Sequence, residues 1–329
     1  MTKIFPTRPG AAPARVIAVA SGMGGVGKSF ISTNLALALG SSSHRVCLID
    51  ADPEASESPE PWGQASDFSF QDYVYAGHNL DEVLAEGPVD VGHIRAVHDI
   101  ADFVHLEPLR QARVMAGLQE MEACFDYLIL DIAGYIDDAQ IQFLLAAPFT
   151  IITLTPEPAS VSSAFSLLRL LKRFYYDRPV FVVINRSSSV RLDHEIFKEF
   201  KRSAKKYLWL DVGYLGSIPI VPALAETKRN DMPLLLHEPD SSASRCLFGI
   251  ADRLHSRLEN EADNDASFSD FLQKQMGETK FPGDPGVGQG TVEPASGPAG
   301  PREDRENSGA TDEQIALATA SRYARILGP

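Results

Sequence analysis

A glycine-rich loop that ends in Lys28 and Ser29 is the segment whose residue types point most directly to chemistry. Residues 22–29 read Gly-Met-Gly-Gly-Val-Gly-Lys-Ser, which satisfies the spacing G-x₄-G-K-S. Glycine adopts positive φ without strain, so such a loop can turn successive N–H groups toward phosphate oxygens. Lys28 would then reach the β- and γ-phosphates, and the Ser29 hydroxyl would bind Mg²⁺. The alternative, a glycine-rich turn without function, does not explain the Lys-Ser pair.

Acidic residues follow two apolar runs, where a metal beside phosphates would find its ligands. Asp50 and Asp52 stand in Leu-Ile-Asp-Ala-Asp-Pro, and Asp131 ends the run Leu-Ile-Leu-Asp. The carboxyl ends of parallel strands gather at one edge of a sheet, where ligands bind. We therefore expect all three carboxylates beside the glycine loop. Taken singly, each is also explained as a turn former or a helix cap.

The strands that must position these residues are short apolar runs separated by helix-length segments. The predicted strands cover residues 14–21, 44–50, 126–132, 149–155, 179–185 and 211–219. The predicted helices lie near residues 28–39, 108–123, 136–146, 158–174, 192–207 and 241–259. Continuous apolar runs are typical of strands buried on both faces, and strand–helix alternation implies βαβ crossovers. We predict an α/β fold, a doubly wound and mostly parallel sheet flanked by helices.

Composition divides the rest of the chain into further units. Residues 277–310 hold eight Gly and five Pro with few large apolar side chains, so they predict a disordered linker. Residues 54–105 read as an insertion over the nucleotide side, with a helix in Asn-Leu-Asp-Glu-Val-Leu-Ala-Glu-Gly. The predicted units are a flexible arm (1–13), a nucleotide-binding domain (14–260), an amphipathic helix (261–276), the linker (277–310) and a C-terminal helix (311–329).

Charge and cysteine usage exclude several classes of partner. The formal net charge of −14 argues against non-specific DNA binding, which needs a basic stripe. The three cysteines are far apart and form no Cys-x-x-Cys pair, which fits a reducing cytoplasm. No signal peptide or spanning run is evident. We therefore expect a cytoplasmic protein.

The amphipathic helix leaves two interpretations open. Phe268, Phe271, Leu272 and Met276 fall on one helical face, while the flanking residues are mostly acidic. Packing on the domain or on a partner is the favoured interpretation. Docking on the inner face of a membrane is the alternative, which the acidic flanks disfavour because anionic lipid repels them.

The ordered set of motifs resembles a known family. The loop Ser-Gly-Met-Gly-Gly-Val-Gly-Lys-Ser, the Leu-Ile-Asp-Ala-Asp-Pro segment and the strand ending in Asp131 resemble the MinD/ParA family, the deviant Walker A P-loop ATPases of the SIMIBI class. Residues 153–171 and 182–189, and the segment that begins at Gly216, are most similar to the branch of FlhG and FleN, which sets flagellar number. The resemblance covers about residues 14–260.

The resemblance implies a role for each matching residue. It implies that ATP or ADP and Mg²⁺ are held by Gly22, Gly24, Gly25, Val26, Gly27, Lys28, Ser29 and Phe30. Asp50 and Asp131 would hold the Mg²⁺ shell with Ser29, while Asp52 would orient the attacking water and act with Lys28 in catalysis. Asn185 would hydrogen-bond adenine, with Arg186 beside it and the loop at Pro219 flanking the base.

Three departures from the family put hydrolysis in question. Met23 stands where the family has a lysine that reaches the phosphates of the other subunit, and a thioether carries no charge. Phe30 replaces a small hydroxyl residue. The Asp-Ile-Ala-Gly stretch at residues 131–134 is one residue shorter than the family's. Binding should survive, since Lys28 and Ser29 remain.

Two functional hypotheses follow. The first is a slow ATPase switch that forms an ATP-dependent homodimer, recruits a protein partner in one nucleotide state and positions a cellular structure such as the flagellum. The second is an ATP- or ADP-bound scaffold that does not hydrolyse. A tyrosine autokinase is disfavoured because the tail offers only Tyr323.

Overall fold

A mostly parallel sheet forms the centre of the computed structural model, which describes residues 5–8, 10, 12–51, 62, 66–95, 106–134, 138–220, 232–260 and 267–278. Its strands are β1 (Arg15–Ala20), β2 (Val46–Ala51), β3 (Ala85–Glu86), β4 (Val91–Ile94), β5 (Tyr127–Ile132), β6 (Phe149–Leu154), β7 (Val180–Ser187) and β8 (Val212–Pro219). Their order is β3-β4-β2-β5-β1-β6-β7-β8, and only the β3–β4 pair is antiparallel. All six predicted strands are therefore confirmed.

Helices cover both faces of this sheet. They are α1 (Lys28–Ser41), α2 (Phe70–Tyr75), α3 (Leu80–Val83), α4 (Pro108–Cys124), α5 (Asp138–Ala146), α6 (Pro158–Arg173), α7 (Val190–Ser203), α8 (Leu234–His237), α9 (Ser242–Asn260) and α10 (Phe268–Glu278). The buried side chains of α4 to α7 and α10 form one apolar cluster, and those of α1, α8 and α9 form another on the opposite face. The doubly wound α/β prediction is confirmed.

The region between β2 and α4 extends the sheet. In β4, Val91 pairs with Val46 of β2 in parallel register. The predicted helix near residue 80 ends at Val83, because Ala85 and Glu86 pair with β4 instead. The described part of the predicted insertion is thus built into the edge of the sheet rather than placed over the nucleotide side. Residues 52–61, 63–65 and 96–105 lie outside the described residues.

The N-terminal arm contacts the domain at the start of β5. The Phe5 ring centroid lies 4.7 Å from that of Phe125, and the Arg8 N–H donates to the Ala123 carbonyl at 3.1 Å. The Arg8 guanidinium also pairs with the Asp126 carboxylate. The sequence predicts a flexible arm over residues 1–13, whereas residues 5–8 of it are anchored by these contacts.

Helix α10 packs back onto the domain, against α4 and α5. Phe268 and Leu272 are buried in the same cluster as those helices, so the domain-packing interpretation is the one that the structure supports. Within the described ranges, no helix is both long enough and apolar enough to cross a membrane. The predicted linker, from residue 279 onward, and the predicted C-terminal helix lie outside the described residues.

Candidate nucleotide-binding site

The glycine loop connects the carboxyl end of β1 to the first turn of α1. Gly25 and Gly27 have φ values of 77° and 95°, the left-handed region that favours glycine. Gly27 is the N-cap of α1, so Lys28 and Ser29 stand in the first helical turn. The buried Ser21 hydroxyl donates to the Met23 carbonyl at 2.6 Å and fixes the entry to the loop.

The glycines of the loop differ in how much space surrounds them. A methyl group on Gly22 would lie 2.1 Å from the Ser163 carbonyl carbon, and one on Gly27 would lie 2.3 Å from Asn185 Nδ2. At Gly24 and Gly25 an added methyl group would meet nothing within 4 Å. The loop is therefore held from outside by α6 and β7, while open space remains beside its middle. This arrangement fits a phosphate group.

Lys28 and the end of β5 lie together under the loop. Lys28 is only 7% exposed, and a methyl group on Gly134 would lie 3.4 Å from its Nζ and 3.3 Å from Gly24 Cα. The Asp-Ile-Ala-Gly segment thus contacts the phosphate loop. Ser32, which sequence reasoning missed, donates to Asp131 Oδ1 at 3.1 Å.

The predicted metal ligands meet at the same edge of the sheet. Asp50 of β2 and Asp131 of β5 are direct register partners, and Asp131 also pairs with Val19 of β1, just before the loop. Ser29 is exposed at the start of α1. Carboxylate and hydroxyl oxygens suit Mg²⁺, which keeps several waters and binds substrate phosphates as well. These residues fit the cation, while Asp52 lies outside the described residues.

The described residues offer no purely protein-built metal cage. In the ranges that the structure covers, no three His, Cys, Asp or Glu side chains converge on one point.

The predicted adenine side is formed by the ends of β7 and β8. The Asn185 Nδ2 group donates to the Val26 carbonyl at 2.8 Å, and its Oδ1 accepts the Arg186 N–H at 2.9 Å. Asn185 therefore supports the phosphate loop directly, and adenine recognition by its remaining donor and acceptor stays a prediction. Arg186 is exposed with φ of 57°, and Pro219 pairs with Ser187 at the same edge.

Phe30 is half-buried among the side chains of the α1, α8 and α9 cluster. Its carbonyl accepts a hydrogen bond from Asn34 Nδ2 at 2.7 Å, and Asn34 Oδ1 accepts the Leu235 N–H at 3.0 Å. The Phe30 ring thus belongs to the apolar packing around α1. A role for Phe30 in nucleotide binding stays a prediction.

A buried strand, a left-handed glycine loop and a helix beginning with Lys-Ser define a P-loop NTPase. The model of the ParA family, described as NUBPL iron-transfer P-loop NTPase, matches residues 13–255. The chain belongs to this family.

Named relatives refine that placement. The chain is 29% identical over 244 residues to the antiactivator FleN of Pseudomonas aeruginosa, covering 74% of this chain and 87% of that protein. It is 26% identical over 254 residues to an iron-sulfur cluster carrier protein of Saccharolobus solfataricus, covering 74% and 84%. The similarity to FleN supports the FlhG-like branch of the MinD/ParA family.

A solved structure shares the fold. The septum site-determining protein MinD of Pyrococcus horikoshii, complexed with Mg-ADP, superposes with a TM-score of 0.55 at 15% identity. The match covers 77% of this chain and 99% of that one. At this identity the likeness extends to the fold alone.

Proposed function

We propose that this chain is an ATP-binding switch that hydrolyses ATP slowly and recruits a protein partner in its ATP-bound state. The proposal rests on the packing of the glycine loop, in which Gly22 and Gly27 contact neighbouring elements while Gly24 and Gly25 border open space. Lys28 is buried beside Gly134, and Ser29 stands on the same helical turn as Lys28. The similarity to FleN supports a regulatory or positioning role, and flagellar number or placement is the process that we propose. The protein would act in the cytoplasm as an ATP-dependent homodimer.

Each residue of the site would have a distinct task. The loop N–H groups and Lys28 would bind the phosphates, and Ser29, Asp50 and Asp131 would hold the Mg²⁺ shell. The cation would supply charge neutralisation at the phosphate oxygens. Asp52 would orient the attacking water. Ser32 would keep the Asp131 carboxylate oriented, since its hydroxyl already donates to it at 3.1 Å.

A hydrolysis-deficient scaffold is the second candidate function, and Met23 favours it. Met23 is a half-buried residue of the loop and has no charge to offer a phosphate across a dimer interface. Loss of one preorganised charge contact to the transferring phosphate costs on the order of 10³-fold in rate. Retention of Asp131 beside the loop favours the ATPase.

Iron-sulfur cluster carriage, named for several relatives, receives no support from the cysteines. Cluster ligands are thiolates, usually presented in closely spaced pairs. Cys47 and Cys124 are buried and Cys246 is half-buried. Burial raises the pKa of the Cys47 thiol and so disfavours its thiolate.

The deciding experiment measures phosphate release from purified protein with Mg-ATP. The wild type would be compared with Asp52→Ala, Met23→Lys and Lys28→Ala, with ATP affinity measured in parallel. We expect slow turnover by the wild type, loss of turnover in Asp52→Ala with binding retained, and loss of binding in Lys28→Ala. Wild-type binding without turnover, together with a gain in Met23→Lys, would instead establish the scaffold.

Dimerisation provides an independent test of the switch. Light scattering after gel filtration should show a dimer with Mg-ATP and a monomer with Mg-ADP or with Lys28→Ala. A protein that stays monomeric whichever nucleotide is bound would contradict the switch, whatever its turnover.

A further inference from the structure

A single buried amide bridges the ends of the two strands that carry the acidic residues. Gln140, in the first turn of α5, is 0% exposed. Its Nε2 donates to the Ala51 carbonyl at 3.0 Å, and its Oε1 accepts the Ala133 N–H at 3.3 Å. The nitrogen and the oxygen of the Gln140 amide are therefore bonded to different strands, the nitrogen to the end of β2 and the oxygen to the residue that follows β5.

The Gln140 amide lies at the end of the β2–β5 ladder. Ala51 and Ile132 are the last paired residues of the two strands. The Gln140 amide joins the carbonyl of Ala51 to the N–H of Ala133, the residue that follows Ile132. Only a group that donates and accepts at once can do this, which an amide does and a carboxylate or an alkyl chain does not.

The two ends of the bridge lead into the two segments on which hydrolysis would depend. Ala133 precedes Gly134, which lies against Gly24 and Lys28 of the phosphate loop. Ala51 immediately precedes Asp52, the residue proposed to orient the attacking water. A displacement of Gly134 by a bound phosphate would thus be passed through Gln140 to the end of β2.

Resting on the proposed function, we propose that Gln140 is a positioning residue that couples the Asp131–Gly134 segment, which borders the phosphate loop, to the end of β2, the strand that leads to Asp52. The coupling is a hydrogen-bonded link at a fully buried position, where such bonds are strong and their loss is costly. It would make the end of β2 respond to the nucleotide state.

The test combines two substitutions that remove both bonds: Gln140→Met, which keeps the length of the side chain, and Gln140→Leu, which shortens it. Gln142→Met is the matched control, because Gln142 is a buried glutamine on the same helix. Hydrogen exchange would be followed with and without Mg-ATP in two peptides, one over the phosphate loop and one over the end of β2. The kcat and KM for ATP would be measured alongside.

In the wild type we expect ATP to protect both peptides. Gln140→Met and Gln140→Leu should keep protection of the phosphate loop and lose it at the end of β2. Their kcat should fall by about 100-fold with KM little changed, since small misplacement of a catalytic group has that effect. Gln142→Met should behave as the wild type in both readouts.

Three outcomes separate this inference from the proposed function. Equal protection of the β2 end in the wild type and both Gln140 variants would overturn the coupling. The same loss in Gln142→Met would also overturn it, because a general loosening of α5 would then be the cause. Absence of phosphate-loop protection in the wild type would show instead that the proposed nucleotide binding fails. If the wild type does not hydrolyse ATP, the exchange measurement alone decides.

Discussion

Gly22 and Gly24 of the phosphate loop have different surroundings, so alanine substitution should affect stability at one position and not at the other. Gly22 packs directly on the backbone of α6, whereas Gly24 borders open space. Gly22→Ala forces a methyl group to within 2.1 Å of the Ser163 backbone, so either the loop or the helix must shift. We expect this change to lower the free energy of unfolding by about 1–3 kcal/mol, as overpacking does.

Urea unfolding without nucleotide measures that loss. Gly24→Ala is the matched control, because its methyl group meets nothing within 4 Å and should leave stability nearly unchanged. Equal destabilisation by both substitutions would show that backbone flexibility, not contact with α6, is what the loop requires at Gly22.

The residues of the site divide into those that a local pattern can identify and those that it cannot. Lys28 and Ser29 follow from the glycine loop alone, since the whole phosphate cradle is contiguous in sequence. Ser32 and Gln140 gain their roles by touching Asp131 in one case, and Ala51 and Ala133 in the other. Those contacts form only when β2, β5 and the neighbouring helices pack together, so no spacing in the sequence predicts them.

At the scale of elements, apolar runs identify six strands of the described sheet and miss the two short ones, β3 and β4. β5 and β6 are buried at every position, and their sequences are mostly apolar. β4 has only four residues and includes Gly92 and His93, so it resembles a loop. Its strand character comes from pairing with β2, which is tertiary context rather than local propensity.

Helix α10 depends on one carboxylate of α4 for its start. Glu122 is 4% exposed; its Oε1 accepts the Phe268 N–H at 2.6 Å, and its Oε2 accepts the hydroxyls of Ser267 at 2.8 Å and Ser269 at 2.6 Å. This is a capping interaction supplied by another helix, and it satisfies an N–H that the helix itself cannot. The carboxylate thus anchors α10 while Phe268 and Leu272 bury its apolar face.

Glu122→Ala should therefore release α10. The substitution leaves three donors near the start of the helix without this acceptor, and we expect the free energy of unfolding to fall by about 1–3 kcal/mol. Hydrogen exchange in residues 268–278 should accelerate while the phosphate loop keeps its rate. Gln119→Ala, at an exposed position of α4, is the control. Unaltered exchange in α10 would mean that apolar packing alone holds it.

At the scale of the whole molecule, polar groups gather at both ends of the strands of the sheet, and the two sets differ in chemistry. The carboxyl edge carries the phosphate loop and the acidic residues. The opposite edge, where β1, β2 and β5 begin, gathers the arm residue Arg8, Arg15, Asp126, Tyr127 and two histidines, lining a cavity of about 220 Å³. The ring centroids of His44 and His255 are 4.7 Å apart, and the Tyr127 hydroxyl lies 2.6 Å from His255 Nδ1.

Burial at this edge, together with the nearby His255 and Arg15 charges, lowers the pKa of His44 from its ordinary value of 6.5, although Asp126 and Glu259 oppose the shift. The unfolded chain therefore takes up a proton at His44 at a higher pH than the folded chain does. It follows that the contribution of His44 to stability is fully present above pH 6.5 and is lost as the pH falls below that value, until the folded histidine is protonated too. Asp72 and Glu82, whose pKa values are lowered from 3.8 and 4.5 by backbone hydrogen bonds, lose their contribution only in more acidic solution.

Urea unfolding at a series of pH values from about 8 to 5 reports on the histidines, because the carboxylates titrate below that window, and the His44→Gln variant separates His44 from the others. We expect the free energy of unfolding of the wild type to fall across the lower half of the series, and His44→Gln to flatten the decline. His237→Gln, at an exposed position on α8, is the control and should keep the wild-type slope. If His44→Gln declines as steeply as the wild type, the acid sensitivity arises elsewhere. A flattened slope would show that the edge of the sheet opposite Lys28 sets how the fold responds to mild acid.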